Sequence, residues 1–351
     1  MLSNAFPLKQ PPSDPAPLFE LFRGCHATEL LTAAVVHFQV FEKLLPGPIP
    51  EEELQKELEL TRRAWVVFST ALKAFGLLEV SEGKIGLTSL AMTHLLQGGE
   101  FSIANYIGLA GNSPGVLDMV RMLKTDKPRQ AESADEGHAF IFREGMESAM
   151  EKADSARRLT LSLAGRARNV APVLAQKVSL TGFQRLLDVG AGSGLYAIAL
   201  MEKNPSLQSV LWDGQEVLKV AEELVRQAKV ENRTRFHPGD MFKDDVPSGA
   251  DAILLSNVLH DWDVAECKAL LTKLARSLPQ NGILIIHDVF LTDALDGPLA
   301  IALYSASLFS LTEGRAYSAG EIRGWLKDLG MTSDPIAPTL AHCGAMIARF
   351  A

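Results

Sequence analysis

Asp188, Asp213, Asp240, His260 and Asp288 are the residues of this chain whose types and spacing could do chemistry together. The first opens the pattern Asp188-x-Gly190-x-Gly192-x-Gly194, which follows the apolar pair Leu186-Leu187. Glycines at alternate positions let a backbone approach a ligand closely where the next helix begins. A dinucleotide fingerprint would need glycine at position 195, which is Leu195. A pyrophosphate would also meet the Asp188 carboxylate, so the loop suits a cationic or hydroxylated ligand. That points away from NAD and towards S-adenosylmethionine, whose sulfonium, amino group and ribose match such a loop. Asp213 lies 23 residues after Gly190, near the spacing at which an acid bonds ribose hydroxyls. Asp240, with Met241 and Phe242, offers one acceptor and two soft or flat groups suited to adenine. Each acid alone could simply cap the helix after it. Three at the ends of successive strands are harder to explain that way.

His260 is the candidate base. A neutral imidazole, with a pKa of ~6.5, can take the proton of a phenol as its oxygen attacks an electrophile. Asp288 could accept the other ring N–H and stabilise the imidazolium. His287 alternates to the opposite side of the same strand and is the weaker candidate. No His/Cys/Asp cluster shows the spacing of metal ligands, so no metal is expected.

These residues need a scaffold that gathers strand ends. From Leu186 onwards apolar strands alternate with helical stretches, the pattern of a doubly wound α/β unit with helices on both faces of a mostly parallel sheet. The expected strands begin at Leu186, end at Asp213 and at Asp240, and cover 252–256 and 283–288, with 344–350 as a terminal strand. Ser256, at the end of the fourth, joins Asp188, Gly190, Gly192, Asp213, Asp240, Met241 and Phe242 as a cofactor-side candidate. Ligands bind outside the carboxyl ends of such strands.

The N-terminal part reads differently. Residues 1–17 form a proline-rich arm; helical spacing then runs from Leu18 to Leu45, and Thr61 caps a helix carrying Trp65, Phe68 and Leu72. A hairpin pattern over 77–88 completes a mostly helical, winged-helix-like domain over 18–110. Linking helices occupy 111–181, and the cofactor-binding domain is 182–351. A winged helix raises DNA binding, but residues 1–100 hold 8 Lys and Arg against 12 Asp and Glu. Without a basic stripe to neutralise phosphates, a dimerisation role is the better expectation.

Composition sets the outer limits. The chain has 47% hydrophobic and 22% charged residues and a net charge of −8, which fits a globular protein and discourages nucleic-acid or acidic-membrane binding. Three scattered cysteines suit a reducing cytoplasm, and no apolar run is long enough to span a bilayer.

The segments 187–194, Gly239-Asp-Met-Phe242 and His260-Asp-Trp-Asp263, together with the N-terminal pattern, resemble the class I S-adenosylmethionine-dependent O-methyltransferases. The nearest group is similar to the caffeic acid and acetylserotonin enzymes and their bacterial small-molecule relatives. The resemblance implies a homodimer, a cofactor site on the loop and strand ends named above, and His260 as general base. It implies an aromatic acceptor against Phe142 and Met146, with Trp262 as a further pocket residue. One departure stands out: of two acids that flank the family's histidine, Asp288 matches the first, whereas Ala316 replaces the second. That leaves methylation at nitrogen or carbon, or a non-methylating reaction on the same fold, as alternatives, with a cofactor-sensing regulator behind them.

Overall fold

A computed structural model describes residues 6–127 and 152–351 of the chain. Two compact units emerge, each assembled from separated stretches of sequence. The first takes Met1–Phe19, Ala139–Phe290 and Ala319–Ala351; the second takes Glu20–His138 and Leu291–Ser318.

The first unit is an α/β sheet. A long helix α1 (Ala153–Lys177) precedes β1 (Arg185–Val189), α2 (Leu195–Lys203), β2 (Gln208–Asp213), α3 (Gln215–Gln227) and β3 (Thr234–Pro238). Then come β4 (Ala252–Ser256), α4 (Val264–Ser277), β5 (Ile283–Leu291), α5 (Ala319–Asp328), β6 (Met331–Ser333) and β7 (Cys343–Phe350). The strand order is β6-β7-β5-β4-β1-β2-β3, parallel except where β7 pairs with β5 and β6. β1 and β4 are apolar and buried along nearly their whole length because both flanks carry strands and both faces carry helices. The chain runs outward through β2 and β3 and returns to β4 on the other side of β1. That reversal leaves a crevice at the carboxyl ends of β1 and β4.

The expected strands are all present, but β3 stops at Pro238, so Asp240 lies in the turn beyond it rather than at the strand end. β5 runs three residues beyond Asp288, to Leu291, and the three-residue edge strand β6 was not expected.

The second unit is mostly helical. Thr61 accepts from the Ala64 N–H and starts the helix Arg62–Ala74, whose Trp65, Phe68 and Leu72 are buried. The hairpin strands Leu78–Ser81 and Lys84–Leu87 pair antiparallel, with Ile49–Pro50 as a short third strand. The run from Leu18 to Leu45 is broken into several short helices, with a π-helical turn at Ala33–His37. The helix Leu299–Leu311 is apolar on all sides because Leu303, Ala306 and Phe309 join the same core as Phe38 and Phe68. Arg63 anchors the segment after it, donating to the carbonyls of Thr312 and Gly314 and to Asp126 while lying 4.5 Å over the Phe309 ring. Ala316 is fully buried there, its N–H bonded to Ser305 Oγ.

Candidate active site

The glycine loop is held in the left-handed region. Gly190, Gly192 and Gly194 have φ of 64°, 54° and 71°. A side chain at Gly190 would strike Val258 at 2.9 Å, whereas the space above Gly192 is open within 4 Å. Gly190 is thus required by packing; Gly192 leaves room for a ligand. Asp213 secures this loop from the end of β2: one carboxylate oxygen accepts from Gly192 N at 2.8 Å and the other from Gly214 N at 2.7 Å. Each carboxylate oxygen retains acceptor capacity beyond one bond.

Asp188 lies beneath the loop, 1% exposed, and its Oδ2 has no hydrogen-bond partner among the described residues. Burial, reinforced by the charge of Asp213, pushes Asp188 up to about 8. Burial also raises Asp213, against the two backbone N–H bonds that favour its charge. Two like charges without a cation are an unstable combination that a positively charged ligand would relieve.

Further along the crevice, Asp240 accepts from Phe242 N at 2.8 Å and pairs with Lys243, and the Met241 carbonyl accepts from Lys273. Phe242 meets Trp262 edge-to-face, with ring centroids 4.5 Å apart. The candidates placed separately on cofactor and acceptor sides thus touch one another. Phe142 and Met146 lie outside the described residues.

Beyond β4 a tight turn, Leu259–Asp261, carries His260, which is 4% exposed. His260 Nδ1 lies 2.5 Å from Asp288 Oδ1, and that oxygen also accepts from Val289 N at 2.8 Å. Burial alone would raise Asp288, but the facing imidazole, the Val289 N–H and Arg166 hold it below the ordinary carboxylate range. An ionised Asp288 accepts the proton of Nδ1, so the neutral ring carries its basic lone pair on Nε2. The arrangement can remove a proton at one defined atom and stabilise the charge that results.

His287, the neighbour of Asp288, is engaged elsewhere. Its ring bonds Ser256 Oγ at 2.8 Å and Thr339 Oγ1 at 3.0 Å, and burial first, then Arg166, pushes it down to about 3. It is neutral at ordinary pH. Asn257, at a φ of 58°, donates to the Ser256 hydroxyl and to Tyr196. Sequence reasoning missed Asn257, Thr339 and Asp261. Asn257 gave a local signal, since asparagine tolerates the left-handed turn that ends β4, and Asp261 lay within the His260-Asp-Trp-Asp263 motif without being singled out.

Against this geometry, the model of an O-methyltransferase domain matches residues 134–332, more than half of the chain. The chain belongs to the O-methyltransferase family. It is 32% identical over 318 residues to 3-hydroxy-5-methyl-1-naphthoate 3-O-methyltransferase of Streptomyces sahachiroi, covering 90% of this chain and 89% of that one. The crystal structure of an O-methyltransferase family 2 protein from Planctomyces limnophilus, in complex with apigenin, is 44% identical over 98% of each chain, with a TM-score of 0.88. Human N-acetylserotonin methyltransferase in complex with SAM shares the fold at 22% identity, covering 98% of this chain and 100% of that one, with a TM-score of 0.59. This O-methyltransferase uses S-adenosylmethionine. The orphaned buried oxygen of Asp188 and the open space above Gly192 fit a ligand that is cationic and needs close backbone approach.

Proposed function

We propose that this O-methyltransferase methylates a hydroxyl group of a small aromatic molecule, with His260 as general base. The observation that carries the reading is the buried 2.5 Å contact of His260 Nδ1 with Asp288, which leaves Nε2 as the proton acceptor. S-adenosylmethionine supplies an electrophilic methyl group on a sulfonium, and the loop of Asp188, Gly190 and Gly192, with Asp213, Asp240, Met241, Phe242 and Ser256, would hold it. The chain's part in the reaction is to hold the acceptor oxygen in line and to take its proton. His260 Nε2 receives that proton, and Asp288 stabilises the imidazolium through Nδ1. An aromatic acceptor is supported by the naphthoate substrate and the apigenin ligand named for two relatives. Trp262, edge-on to Phe242, would give such a ring an apolar wall. A panel of phenols of graded acidity, incubated with methyl-labelled cofactor, tests this. Label should enter a phenolic ether with one S-adenosylhomocysteine formed per methyl; label on ring carbon or amine nitrogen would refute the O-methyl assignment.

The same proposal includes a homodimer formed through the winged-helix-like N-terminal part, working in the cytoplasm without a nucleic-acid partner. Leu21, Phe22, Tyr106 and Leu109 are each more than three-quarters exposed, a surplus of apolar surface that a second copy would cover. No helix among the described residues is long and apolar enough to cross a membrane. Analytical ultracentrifugation at micromolar concentration should return twice the 38.1 kDa chain mass, and a monomer would remove the dimer.

A further inference from the structure

His260 has a carboxylate near each of its ring nitrogens. Asp288 Oδ1 stands 2.5 Å from Nδ1, and Asp261 Oδ1 stands 3.6 Å from Nε2. The two contacts differ in kind. The first is a hydrogen bond that fixes the tautomer. The second is too long for a hydrogen bond, so it places negative charge beside Nε2 without engaging its lone pair. Asp261 is only 7% exposed, and its Oδ1 has no hydrogen-bond partner among the described residues. A buried carboxylate oxygen left without a partner is costly and calls for an explanation. Helix capping does not supply it, because the neighbouring Asp263 caps α4 by accepting from Val264 N.

We infer that Asp261 is a second carboxylate of the base, a positioning residue that stabilises the His260 imidazolium from the Nε2 side as the acceptor's proton arrives. The inference rests on His260 being the general base. Asp288 alone can orient the ring, whereas the charge appearing at Nε2 during proton transfer is nearer to Asp261. This role needs no acid at position 316, which is alanine in this chain. Among the described residues, the charged groups that act on Asp261 are His260, Asp288 on β5 and Arg166 on α1. Burial, and then the repulsion of Asp288 against the attraction of His260 and Arg166, leaves it raised to about 6. Asp261 is therefore mostly ionised at neutral pH.

The test compares Asp261→Asn, Asp261→Glu and His260→Ala with the parent enzyme, using a weakly acidic phenol and S-adenosylmethionine. Asp261→Asn should lower kcat about tenfold, less than the roughly 10²–10⁴-fold that a positioned proton acceptor contributes, because the base itself remains. It should also move the acid limb of the kcat/KM profile down by roughly one pH unit, because an imidazolium that loses an anionic neighbour is more acidic. Affinity for S-adenosylhomocysteine should not change, and Asp261→Glu should recover part of the rate. A parent-like rate and acid limb in Asp261→Asn, alongside an inactive His260→Ala, overturns the second carboxylate and leaves the base in place. Full activity in His260→Ala overturns the general base itself. If Asp261→Asn does not fold, the intact enzyme decides: its acid limb should require two coupled ionisations, and a limb fitted by one group refutes the proposal.

Discussion

Two pairs of groups, all buried except the half-buried Asp213, lie at the carboxyl ends of the same sheet and pose opposite electrostatic problems. Asp188 and Asp213, at the ends of β1 and β2, repel each other when both are ionised, and both are pushed towards the protonated form. Asp288 and His260 are complementary, and Asp288 is held in its charged form despite being buried like Asp188. Depth of burial therefore does not separate the two sites; the sign of the neighbour does. On the proposed reading, the first pair receives positive charge from a ligand. The second generates positive charge on the protein when a proton arrives. A methyl transfer from a sulfonium needs both, since the donor brings a cation to the sheet and the acceptor gives up a proton beside it.

The contrast is broken most sharply at His260. His260→Ala should lower kcat by roughly 10²–10⁴-fold, the usual worth of a positioned proton acceptor. Affinity for S-adenosylhomocysteine should stay intact, because the cofactor pair is untouched. The loss should shrink for phenols already ionised at the assay pH, which need no base. Steady-state kinetics across phenols of different acidity check both statements. A uniform loss would mean that His260 acts by position rather than by taking a proton.

Asp213→Ala should produce the complementary result. It removes the acceptor for the Gly192 and Gly214 N–H groups, and with it the carboxylate proposed to bond the ribose. Titration calorimetry with S-adenosylhomocysteine should show a weakening of roughly 1–3 kcal/mol, as expected for charge-assisted bonds. Unchanged affinity would take Asp213 out of the cofactor site. Asp288→Asn should be milder than loss of the base, with kcat down about tenfold, since the imidazole remains and loses only its charged partner. Cofactor affinity should again be unaffected, and a shared loss would show the two pairs to be one unit.

The parts of this contrast that are local in the chain are legible in the amino-acid sequence alone. Asp188 and its glycines announce themselves because a strand, a turn and a helix start follow within a dozen residues. His260 and Asp288 can be matched because each follows or ends an apolar strand whose neighbour order the α/β pattern implies. The parts that depend on register are not legible. Ser256 meets His287 because β4 and β5 pair at those residues, and Thr339 reaches the same ring from the approach to β7. The spacing at Asp261 depends on the turn of Leu259–Asp261, which no periodicity encodes. In the fold, β6 gives no signal because three residues at a sheet edge carry no alternation to read. The recruitment of Leu291–Ser318 into the helical unit is equally invisible, because sequence order sets it among sheet strands.

The smallest effect concerns Asp188 and tests the cofactor pair without any turnover. Its pKa in the folded protein is about 8, against an ordinary 3.8. Between those values the folded chain keeps a proton that the unfolded chain has released. Stability contributed by the neutral carboxyl is therefore lost as pH rises through that window. The penalty is absent below the ordinary value and complete once the folded group has ionised. Asp188→Asn, which carries no charge at any pH, should flatten the dependence and raise the ligand-free Tm at alkaline pH by roughly a few degrees. The two proteins should converge only as pH falls to the ordinary carboxyl value of 3.8. S-adenosylmethionine adds a second discriminator, because a cation held near Asp188 favours its ionised form and drives a proton off. Calorimetry in buffers of different ionisation enthalpy should detect proton release on binding to the parent near neutral pH and much less for Asp188→Asn. Equal proton release in the two proteins would place the ligand's positive charge away from Asp188, and the like-charge pair would then be a structural cost without a role in binding.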